Sequence, residues 1–459
     1  MPLPESFVAR CKAELGEEEA ARLCQALDSE PPTSIRLHPR CAEDASLLAR
    51  LGDVRRVPWS EWGYYLAQRP SFTLDPAFHA GAYYVQEASS QFVERLLPDA
   101  IEGVRLLDLC AAPGGKTTLY ASKVGREGLV VANEIDRKRV RVLADNVRKW
   151  GLGNVVVTCT DAAHLAAMGA WFDVVAVDAP CSGEGMFRKD EGARAEWSVQ
   201  NVHLCAARQI EILREAWQSL RAGGTLIYST CTFNREEDEG TLERLIATVG
   251  EELVEAPEVA VDPSWGIVKG RVGAFQTFRF FPHRAQGEGF FAAVARKEEG
   301  CGGRIRPPKA KRSVLEAIDR VAQRELERWV EEPSAMRFAV AGDTCYGWYR
   351  ETADAVRLLS EQLPVIYSGV AMGQLFKGRL KPDQALAHFV GRNERVVAEA
   401  VLTEEEALAY LRKQEVPVER FAEGMNLVRC ADHPLGFAKR IGGRVNNLYP
   451  NALRILMTE

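Results

Sequence analysis

The chain has 459 residues, of which 46% are hydrophobic and 27% charged, and its formal net charge is −6. This composition is that of an ordinary globular protein and excludes wholesale disorder, and at roughly 150 residues per domain the length predicts about three domains. The sequence contains no run of ~18 apolar residues and no basic-then-apolar leader, so we expect neither a membrane span nor export. The acidic balance weighs against nucleic acid as a partner unless a local basic patch supplies the cations.

The eleven cysteines show no recurring spacing and no CxxC pair. This pattern disfavours both a disulfide framework and a zinc ribbon. We therefore expect reduced thiols in a cytosolic protein without a resident metal, which leaves cysteine free to do chemistry.

The first 90 residues are predicted to form an α+β domain, which is a candidate for RNA binding. A helical pattern from Glu5 to Leu27 opens it, and a stretch rich in aromatic residues follows. Two interpretations of these rings remain open: they form the core of a small domain, or they present a surface on which unstacked bases lie. The rings belong to Trp59, Trp62, Tyr64, Tyr65, Tyr83 and Tyr84.

From residue 104 onward, short apolar runs alternate with helical stretches. Continuous β-branched runs between helices predict a parallel sheet covered on both faces. We therefore predict a doubly wound α/β domain at residues 91–297, with ligands beyond the carboxyl ends of the strands, and a closing hairpin. The predicted strands are 104–110, 129–135, 154–162, 172–180 and 224–232, the helices are 115–125 and 137–151, and the hairpin is 274–284 with 289–297.

A basic segment follows this domain. Residues 296–312 hold seven basic and two acidic residues, three glycines and two prolines, so we assign residues 298–312 to a linker. This linker is either a solvated hinge or a basic strap across phosphates.

The remainder of the chain is predicted to form a helix over 313–332, an α+β domain to residue 390 and a last unit over 391–459. Two stretches in it, GQLFKGRLKPDQALAHFVG and DHPLGFAKRIGGRVNNLYP, are basic and punctuated by glycine. Cations on turns suit contact with a shaped RNA backbone, although an accessory domain without RNA contact is the alternative.

A glycine-rich turn joins the first predicted strand to the first helix. Small residues there let the backbone approach a ligand, and the N–H groups of the helix start face that ligand. The turn matches neither GxGxxG nor GxxxxGK[ST], which disfavours a dinucleotide oxidoreductase and a nucleotide hydrolase. It consists of Cys110, Ala111, Ala112, Pro113, Gly114, Gly115 and Lys116.

Acidic residues end the next two strands. Glu134 lies ~20 residues beyond the turn, where a carboxylate accepts hydrogen bonds from a ribose diol. Asp161 follows the third strand and is placed to meet an adenine amino group. A helix-capping or surface acid is the alternative for Glu134. Together with the turn, the two acids indicate a cofactor that contains adenosine.

Two cysteines follow the fourth and fifth strands, Cys181 in DAPC and Cys231 in STC. A thiol beside an adenosyl cofactor suits methylation of pyrimidine C5: the thiolate adds to C6, and C5 then attacks a sulfonium methyl group. Asp178 is placed to stabilise charge near N3, and Lys189 is a candidate for positioning the base or favouring the thiolate. The alternatives are a disulfide or metal pair for the cysteines and a surface role for Lys189.

Four motifs in order resemble those of the RNA 5-methylcytosine methyltransferase family, the Nop2/Sun group. They are CAAPGGKTT, NEIDRKR, DAPCSGEGMFRKD and YSTCTFNREEDEG, and the resemblance covers about residues 83–297. It implies a Rossmann-like core that uses S-adenosylmethionine. It also implies that Cys231, in the TC motif, is the nucleophile and that Cys181, in the PC motif, assists product release. The residues alone leave these roles interchangeable, because DNA 5-methylcytosine enzymes use the Pro-Cys thiol.

The resemblance further implies that Cys110 to Lys116, Glu134, Asp161 and Asp178 line the S-adenosylmethionine site, with Arg139 in the family's basic position after the second strand. Within the family the chain is most similar to the RsmF-type enzymes, which modify small-subunit (16S) ribosomal RNA in bacteria and carry a PUA-like RNA-binding region, here residues 391–459.

The implied activity is methylation of cytosine C5 in 16S rRNA. The alternatives are the same chemistry on tRNA and a non-catalytic RNA-binding ribosome assembly factor. We expect a monomer that acts on 16S rRNA or the 30S subunit, with neither DNA nor a membrane as a partner. One segment departs from the family pattern: L-R-V-N-T is replaced by Ile35-Arg36-Leu37-His38-Pro39, so Arg36 matches and the asparagine is missing. This puts the RNA-backbone contact of the segment in doubt.

Overall fold

The computed structural model describes residues 1–300 and 314–457. The chain forms a central ten-stranded sheet flanked in sequence by one four-stranded sheet before it and two after it. Across the described residues, each helix is too short or too polar to cross a membrane.

The N-terminal elements are α1 (Glu5–Leu15), α2 (Glu17–Leu27), β1 (Thr33–Leu37), α3 (Ala45–Arg50), β2 (Val54–Arg56), β3 (Gly63–Leu66), α4 (Pro76–His79) and β4 (Tyr83–Tyr84). The strands pair antiparallel in the order β2-β3-β1-β4. The helical pattern predicted from Glu5 to Leu27 is two helices rather than one, because Gly16 between them has a φ of +85°, which a right-handed helix does not allow.

The aromatic residues of this region form its core. The Trp59 indole N–H donates a hydrogen bond to the Ala88 carbonyl at 2.8 Å, and its ring packs edge-on against Phe280. The interpretation of these rings as a base-stacking surface is therefore wrong, and the packed-domain interpretation is confirmed. Trp59, Tyr64, Tyr65 and Tyr83 are at most 6% exposed, and Trp62 and Tyr84 are half-buried.

The central elements are β5 (Arg105–Asp108), α5 (Gly115–Val124), β6 (Leu129–Asn133), α6 (Arg139–Trp150), β7 (Val155–Thr158), α7 (Ala162–Ala166), β8 (Phe172–Asp178), α8 (Glu191–Glu196), α9 (Val199–Ser219), β9 (Leu220–Thr230), α10 (Glu239–Val249), β10 (Leu253–Val254), β11 (Val268–Val272), β12 (Phe275–Phe280) and β13 (Phe290–Lys297). The strand order is β11-β12-β13-β9-β8-β5-β6-β7, with β10 paired to β13.

Strands β5 to β9 run parallel, and β11 to β13 add to β9 antiparallel. This confirms the predicted parallel sheet and closing hairpin. Successive residues of each strand point to opposite faces of the sheet and pack in different hydrophobic clusters. Leu106 and Val130 pack on one face with residues of α5 and α6. Leu107 and Val131 pack on the other face with residues of α9 and α10. Burial on both faces explains why these strands are continuously apolar in sequence.

Arg36 of β1 connects the N-terminal sheet to this domain. Its side chain is fully buried and donates hydrogen bonds to the side chains of Gln86 at 2.8 Å and Thr118 at 2.6 Å. Its guanidinium carbon lies 4.6 Å from the centre of the Trp150 ring. The residue that matches the family pattern in this segment is thus an internal packing residue rather than an RNA-backbone contact.

The C-terminal elements are α11 (Arg320–Glu327), β14 (Met336–Ala341), β15 (Thr344–Tyr349), α12 (Ala353–Gln362), β16 (Val365–Ser368), β17 (Val370–Phe376), β18 (Arg379–Pro382), α13 (Gln384–His388), β19 (Ala398–Leu402), α14 (Glu404–Leu411), β20 (Gly424–Cys430), β21 (His433–Ile441) and β22 (Arg444–Asn447). They form two sheets, β14-β15-β17-β18 and β19-β20-β21-β22. Strand β16 joins neither of these and instead pairs antiparallel with β7, as the last strand of the central sheet.

The helix predicted over 313–332 is wrong in extent. The structure places Glu316 in a bridge to Val340, and the helix begins only after Asp319, whose carboxylate accepts hydrogen bonds from the N–H groups of the first turn. Of the basic segment 296–312, Arg296 and Lys297 belong to β13, and residues 301–312 lie outside the described part of the chain.

Candidate active site

The glycine-rich turn leads from β5 into α5. Gly114 has a φ of +111° and precedes the helix, so the chain turns here in a conformation that side chains with a Cβ rarely adopt. Among the described residues no side chain caps the helix start, so its first N–H groups are available to a ligand. A cavity of about 170 Å³ lies beside this turn, lined by six residues of the turn, Tyr84 to Glu87, Ser90, Asp108 and Asp178.

Glu134 and Arg139 lie at the end of β6 and the start of α6. Arg139 Nη2 donates to the Ala112 carbonyl at 2.8 Å, and its Nη1 lies 3.4 Å from Glu134 Oε2. Within the described residues nothing donates a hydrogen bond to this buried Oε2 atom. An unsatisfied buried carboxylate oxygen at this position fits a ribose hydroxyl.

Asp161 has a local role in the structure. Its Oδ1 accepts a hydrogen bond from Ala163 N at 2.9 Å and so caps α7. The residue is exposed at the carboxyl end of β7, and its contact with an adenine remains a prediction.

Lys116 and Asp178 form an ion pair across the cavity. The Lys116 Nζ atom lies 2.9 Å from Asp178 Oδ2, and the Ser229 hydroxyl donates to Asp178 Oδ1 at 2.7 Å. Burial works against the positive charge of Lys116, but the adjacent Asp178 carboxylate outweighs it and raises the pKa of the ammonium. The carboxyl group of Asp178 is thus held by two donors from neighbouring elements.

The two thiols predicted from the sequence lie together. Because β8 and β9 are parallel neighbours, the loops that follow them meet, and the Sγ atoms of Cys181 and Cys231 are 3.1 Å apart. The hydrogen bond to Cys231 and burial raise the pKa of the Cys181 thiol well above its ordinary value. Burial and this contact thus favour the protonated form of the Cys181 thiol.

Two buried glutamates that sequence reasoning missed connect these loops. Glu184, three residues after Cys181, is 1% exposed and binds the loop after Cys231. Its carboxylate accepts hydrogen bonds from Thr232 Oγ1 at 2.6 Å, Phe233 N at 2.8 Å, and Asn234 N, Asn234 Nδ2 and Trp197 Nε1 at 3.1 Å each.

Glu237, six residues after Cys231, binds the other loop. It accepts hydrogen bonds from the Ser182 N–H at 2.9 Å and from the Ser182 hydroxyl. Gln209 Nε2 and Asn234 Nδ2 add bonds of 2.8 and 2.7 Å. Each cysteine loop thus sends one glutamate, here called the crossed glutamates, to the other. The only sequence signal for them is an acid among turn residues after each cysteine.

Known proteins resemble most of this chain. Residues 96–296 match the family described as 16S rRNA methyltransferase RsmB/F, residues 3–88 the N-terminal domain of 16S rRNA methyltransferase RsmF, and residues 399–455 the methyltransferase RsmF PUA domain. The crystal structure of a methyltransferase homolog protein from Pyrococcus horikoshii is 28% identical with a TM-score of 0.55, over 64% of this chain and 95% of that one.

Curated relatives extend the match. Ribosomal RNA small subunit methyltransferase F of Escherichia coli O157:H7 (strain EC4115) is 33% identical over 86% of this chain and 84% of its own length. The protein of the same name from Klebsiella pneumoniae (strain 342) is 32% identical over 98% of this chain and 96% of its own. The chain belongs to the ribosomal RNA small subunit methyltransferase F family. The predicted Rossmann-like methyltransferase core and PUA-like region are confirmed by these matches.

In this member of the methyltransferase F family, Lys189 lies beside a buried glutamate. Its Nζ atom is 3.6 Å from Glu288 Oε1, and Arg188 Nε donates to Glu288 Oε2 at 2.9 Å. A direct role for Lys189 remains a prediction.

Asp108 is a third acid, after the two crossed glutamates, that the site prediction omitted. It is buried at the end of β5, and the Thr117 hydroxyl donates to its Oδ2 at 2.6 Å. The pKa of Asp108 is raised to about 7, because burial and the neighbouring Asp178 charge together outweigh the lowering effect of the Thr117 hydrogen bond.

We expect the free energy of unfolding of the wild type to fall between about pH 4 and about pH 7 relative to that of Asp108→Asn. The unfolded chain releases this proton near pH 4, whereas the folded chain holds it until about pH 7, so rising pH favours unfolding over that window. Urea unfolding of both proteins across this window measures the difference, and Asp99→Asn, at an exposed position, is the control. A difference that does not change with pH would contradict the expectation.

Proposed function

We propose that this chain transfers a methyl group from S-adenosylmethionine to C5 of cytosine in 16S rRNA through a covalent bond between Cys231 and C6 of the base. The observation that carries the proposal is the pair of thiols 3.1 Å apart at the carboxyl ends of β8 and β9. The family relationship supports ribosomal RNA as the substrate, since the relatives are named as small subunit methyltransferases.

S-adenosylmethionine supplies an electrophilic methyl group when it is bound. The turn from Cys110 to Lys116 would hold it, because the uncapped N–H groups and the adjacent cavity allow close approach. Glu134 Oε2 would accept a hydrogen bond from a ribose hydroxyl, with Arg139 holding the glutamate against the turn. Asp161 would meet the adenine amino group. Together these residues fit an adenosyl cofactor better than a metal or a nucleoside triphosphate.

Cys231 acts on the base. Its sulfur forms a bond to C6, and the electron pair of the C5–C6 double bond moves toward C5, which becomes the nucleophile for methyl transfer. Asp178 pairs with the Lys116 ammonium and accepts a hydrogen bond from Ser229, and in our proposal the proton shared by the Asp178–Lys116 pair neutralises the negative charge that develops near N3. The crossed glutamates hold both loops, so the two sulfurs keep their separation during this addition.

Release reverses the addition. A base takes the C5 proton, the C5–C6 double bond forms again, and the bond between Cys231 and C6 breaks. Cys181 assists this step in our proposal. Its thiol is the proton donor next to the departing sulfur, and its raised pKa keeps it protonated until then.

Tritium release tests the reaction. A 16S rRNA transcript made with [5-³H]cytidine and incubated with [¹⁴C-methyl]S-adenosylmethionine is expected to lose one tritium to water for each methyl group gained, because only C5 methylation displaces that hydrogen. A tRNA transcript labelled in the same way is the matched substrate. Methyl transfer without tritium release would contradict methylation at C5. Transfer to the tRNA transcript alone would make tRNA the substrate. The absence of transfer to either RNA would favour a non-catalytic assembly factor.

A further inference from the structure

One aromatic side chain of the C-terminal part is solvent-exposed. Phe376, the last residue of β17, is 70% exposed, whereas every other Phe, Trp or Tyr within residues 1–300 and 314–457 is buried or half-buried. A single exposed apolar side chain needs no explanation by itself. What surrounds the ring therefore decides whether it has a role.

The ring lies near the tip of a tight hairpin. Lys377 and Gly378 connect β17 to β18, both with positive φ, as a two-residue turn requires. Phe376 pairs across the strands with Arg379, and Gln374 pairs with Lys381. Cross-strand partners and alternate residues share one face of a hairpin, so this face, the hairpin face, carries a phenyl ring between an amide and two cations.

The cations of the hairpin face are available to a partner. Arg379 and Lys381 are exposed, and among the residues that the structure describes neither they nor Lys377 forms an ion pair with a carboxylate. Arg392 of the same C-terminal part, by contrast, lies 3.2 Å from Glu394. Lys377 extends over the ring, with its Nζ atom 5.6 Å from the ring centre.

The free edge of the hairpin is less accessible than its face. Leu380 N donates to Glu325 Oε1 of α11 at 3.1 Å, and the Leu380 side chain is buried on the opposite side. A partner strand would compete with this bond, which disfavours a peptide that adds to the sheet. A flat aromatic ring beside two unpaired cations of the neighbouring strand fits an unstacked base whose flanking phosphates lie along that strand.

We infer that the hairpin face binds an unpaired stretch of RNA, with Phe376 stacked on one base and Arg379 and Lys381 on the flanking phosphates. This inference rests on the proposed function. It adds a site outside the catalytic domain at which the RNA substrate is held. The hairpin face belongs to the basic stretch GQLFKGRLKPDQALAHFVG.

Equilibrium binding to a fluorescent 16S rRNA transcript tests the inference. Phe376→Ala is expected to raise Kd about tenfold, within the range expected for loss of one stacked base, and Phe376→Trp to stay within about twofold of the wild type because it restores a ring. Arg379→Ala and Lys381→Ala are each expected to reduce the slope of log Kd against log salt by about 0.7, whereas Phe376→Ala leaves that slope unchanged. Leu204→Ala, at a position that is 63% exposed on α9, is the matched control.

The outcomes separate this inference from the proposed function. Wild-type affinity in Phe376→Ala, with methyl transfer intact in the wild type, overturns the inference alone. An equal loss in Phe376→Trp also overturns it, because stacking would then not be the cause. If the wild type neither binds nor methylates the transcript, the proposed function fails. Photocrosslinking of 4-thiouridine-labelled transcript to the peptide that holds Phe376 would support the assignment directly.

Discussion

Cys181→Ala is expected to accumulate a covalent protein–RNA adduct that survives denaturation when the protein is mixed with 16S rRNA and S-adenosylmethionine. The Cys181 sulfur lies 3.1 Å from the Cys231 sulfur, and in our proposal its thiol protonates the departing Cys231, so its removal leaves the addition to C6 possible and slows release. Cys231→Ala is expected to form no adduct and to lose methyl transfer by about 10⁴-fold or more, as removal of a catalytic nucleophile does. A denaturing gel with labelled RNA measures the adduct.

The control for both variants is Cys205→Ala, which removes a third thiol of the same domain, on α9. It is expected to retain methyl transfer and to form no lasting adduct. An adduct in Cys231→Ala rather than Cys181→Ala would exchange the two roles. If none of the proteins forms an adduct while the wild type methylates RNA, covalent catalysis through these thiols is wrong.

Glu184→Gln is expected to lower the free energy of unfolding by about 3 kcal/mol. In the wild type five donors bind the Glu184 carboxylate. The amide of glutamine has only one acceptor oxygen, so several of these buried donors lose their partner. We also expect kcat to fall about a hundredfold with little change in KM for RNA, since the loop that carries Cys231 loses its fixed position. Urea unfolding and steady-state methyl transfer measure the two effects.

Glu196→Gln is the matched control, because Glu196 is an exposed acid at the end of α8. The rate of Cys231 alkylation by iodoacetamide, measured against pH at urea concentrations below the unfolding midpoint, distinguishes a displaced loop from general unfolding. A shift of this rate–pH profile indicates an altered environment of the thiol. Unchanged kcat and unchanged unfolding in Glu184→Gln would show that the crossed contacts do not hold the site.

The sequence predicted the parts of the site that local rules determine. Continuous β-branched runs predicted the strands. The rule that ligands lie beyond the carboxyl ends of parallel strands then predicted that Cys181, Cys231 and Asp178 lie at one site. The crossed glutamates escaped prediction because each acts on a loop about fifty residues away, so its partner is known only when the strand order is known. Lys189 was favoured by its place in a motif, yet the fold turns it toward Glu288.

The aromatic residues show the same limit in another form. The rings clustered near the N-terminus were candidates for base stacking, but tertiary packing buries Tyr83 completely, whereas Phe376, one ring in an ordinary strand, is left in solvent. Sequence pattern distinguishes helix from strand, but it does not tell which face of a small antiparallel sheet another element will cover. The helix predicted over 313–332 failed similarly, because Glu316 pairs with Val340 far along the chain.

The antiparallel pairing of β16 with β7 has a consequence for the order in which this protein is made. Synthesis runs from the N-terminus, so all of the catalytic strands emerge before residues 365–368, and until then β7 is a bare edge with unpaired N–H and C=O groups. The catalytic region therefore completes its sheet only when the C-terminal part has been translated. A nascent or truncated chain that ends near residue 300 carries every catalytic side chain named above, together with an open template for association with other chains.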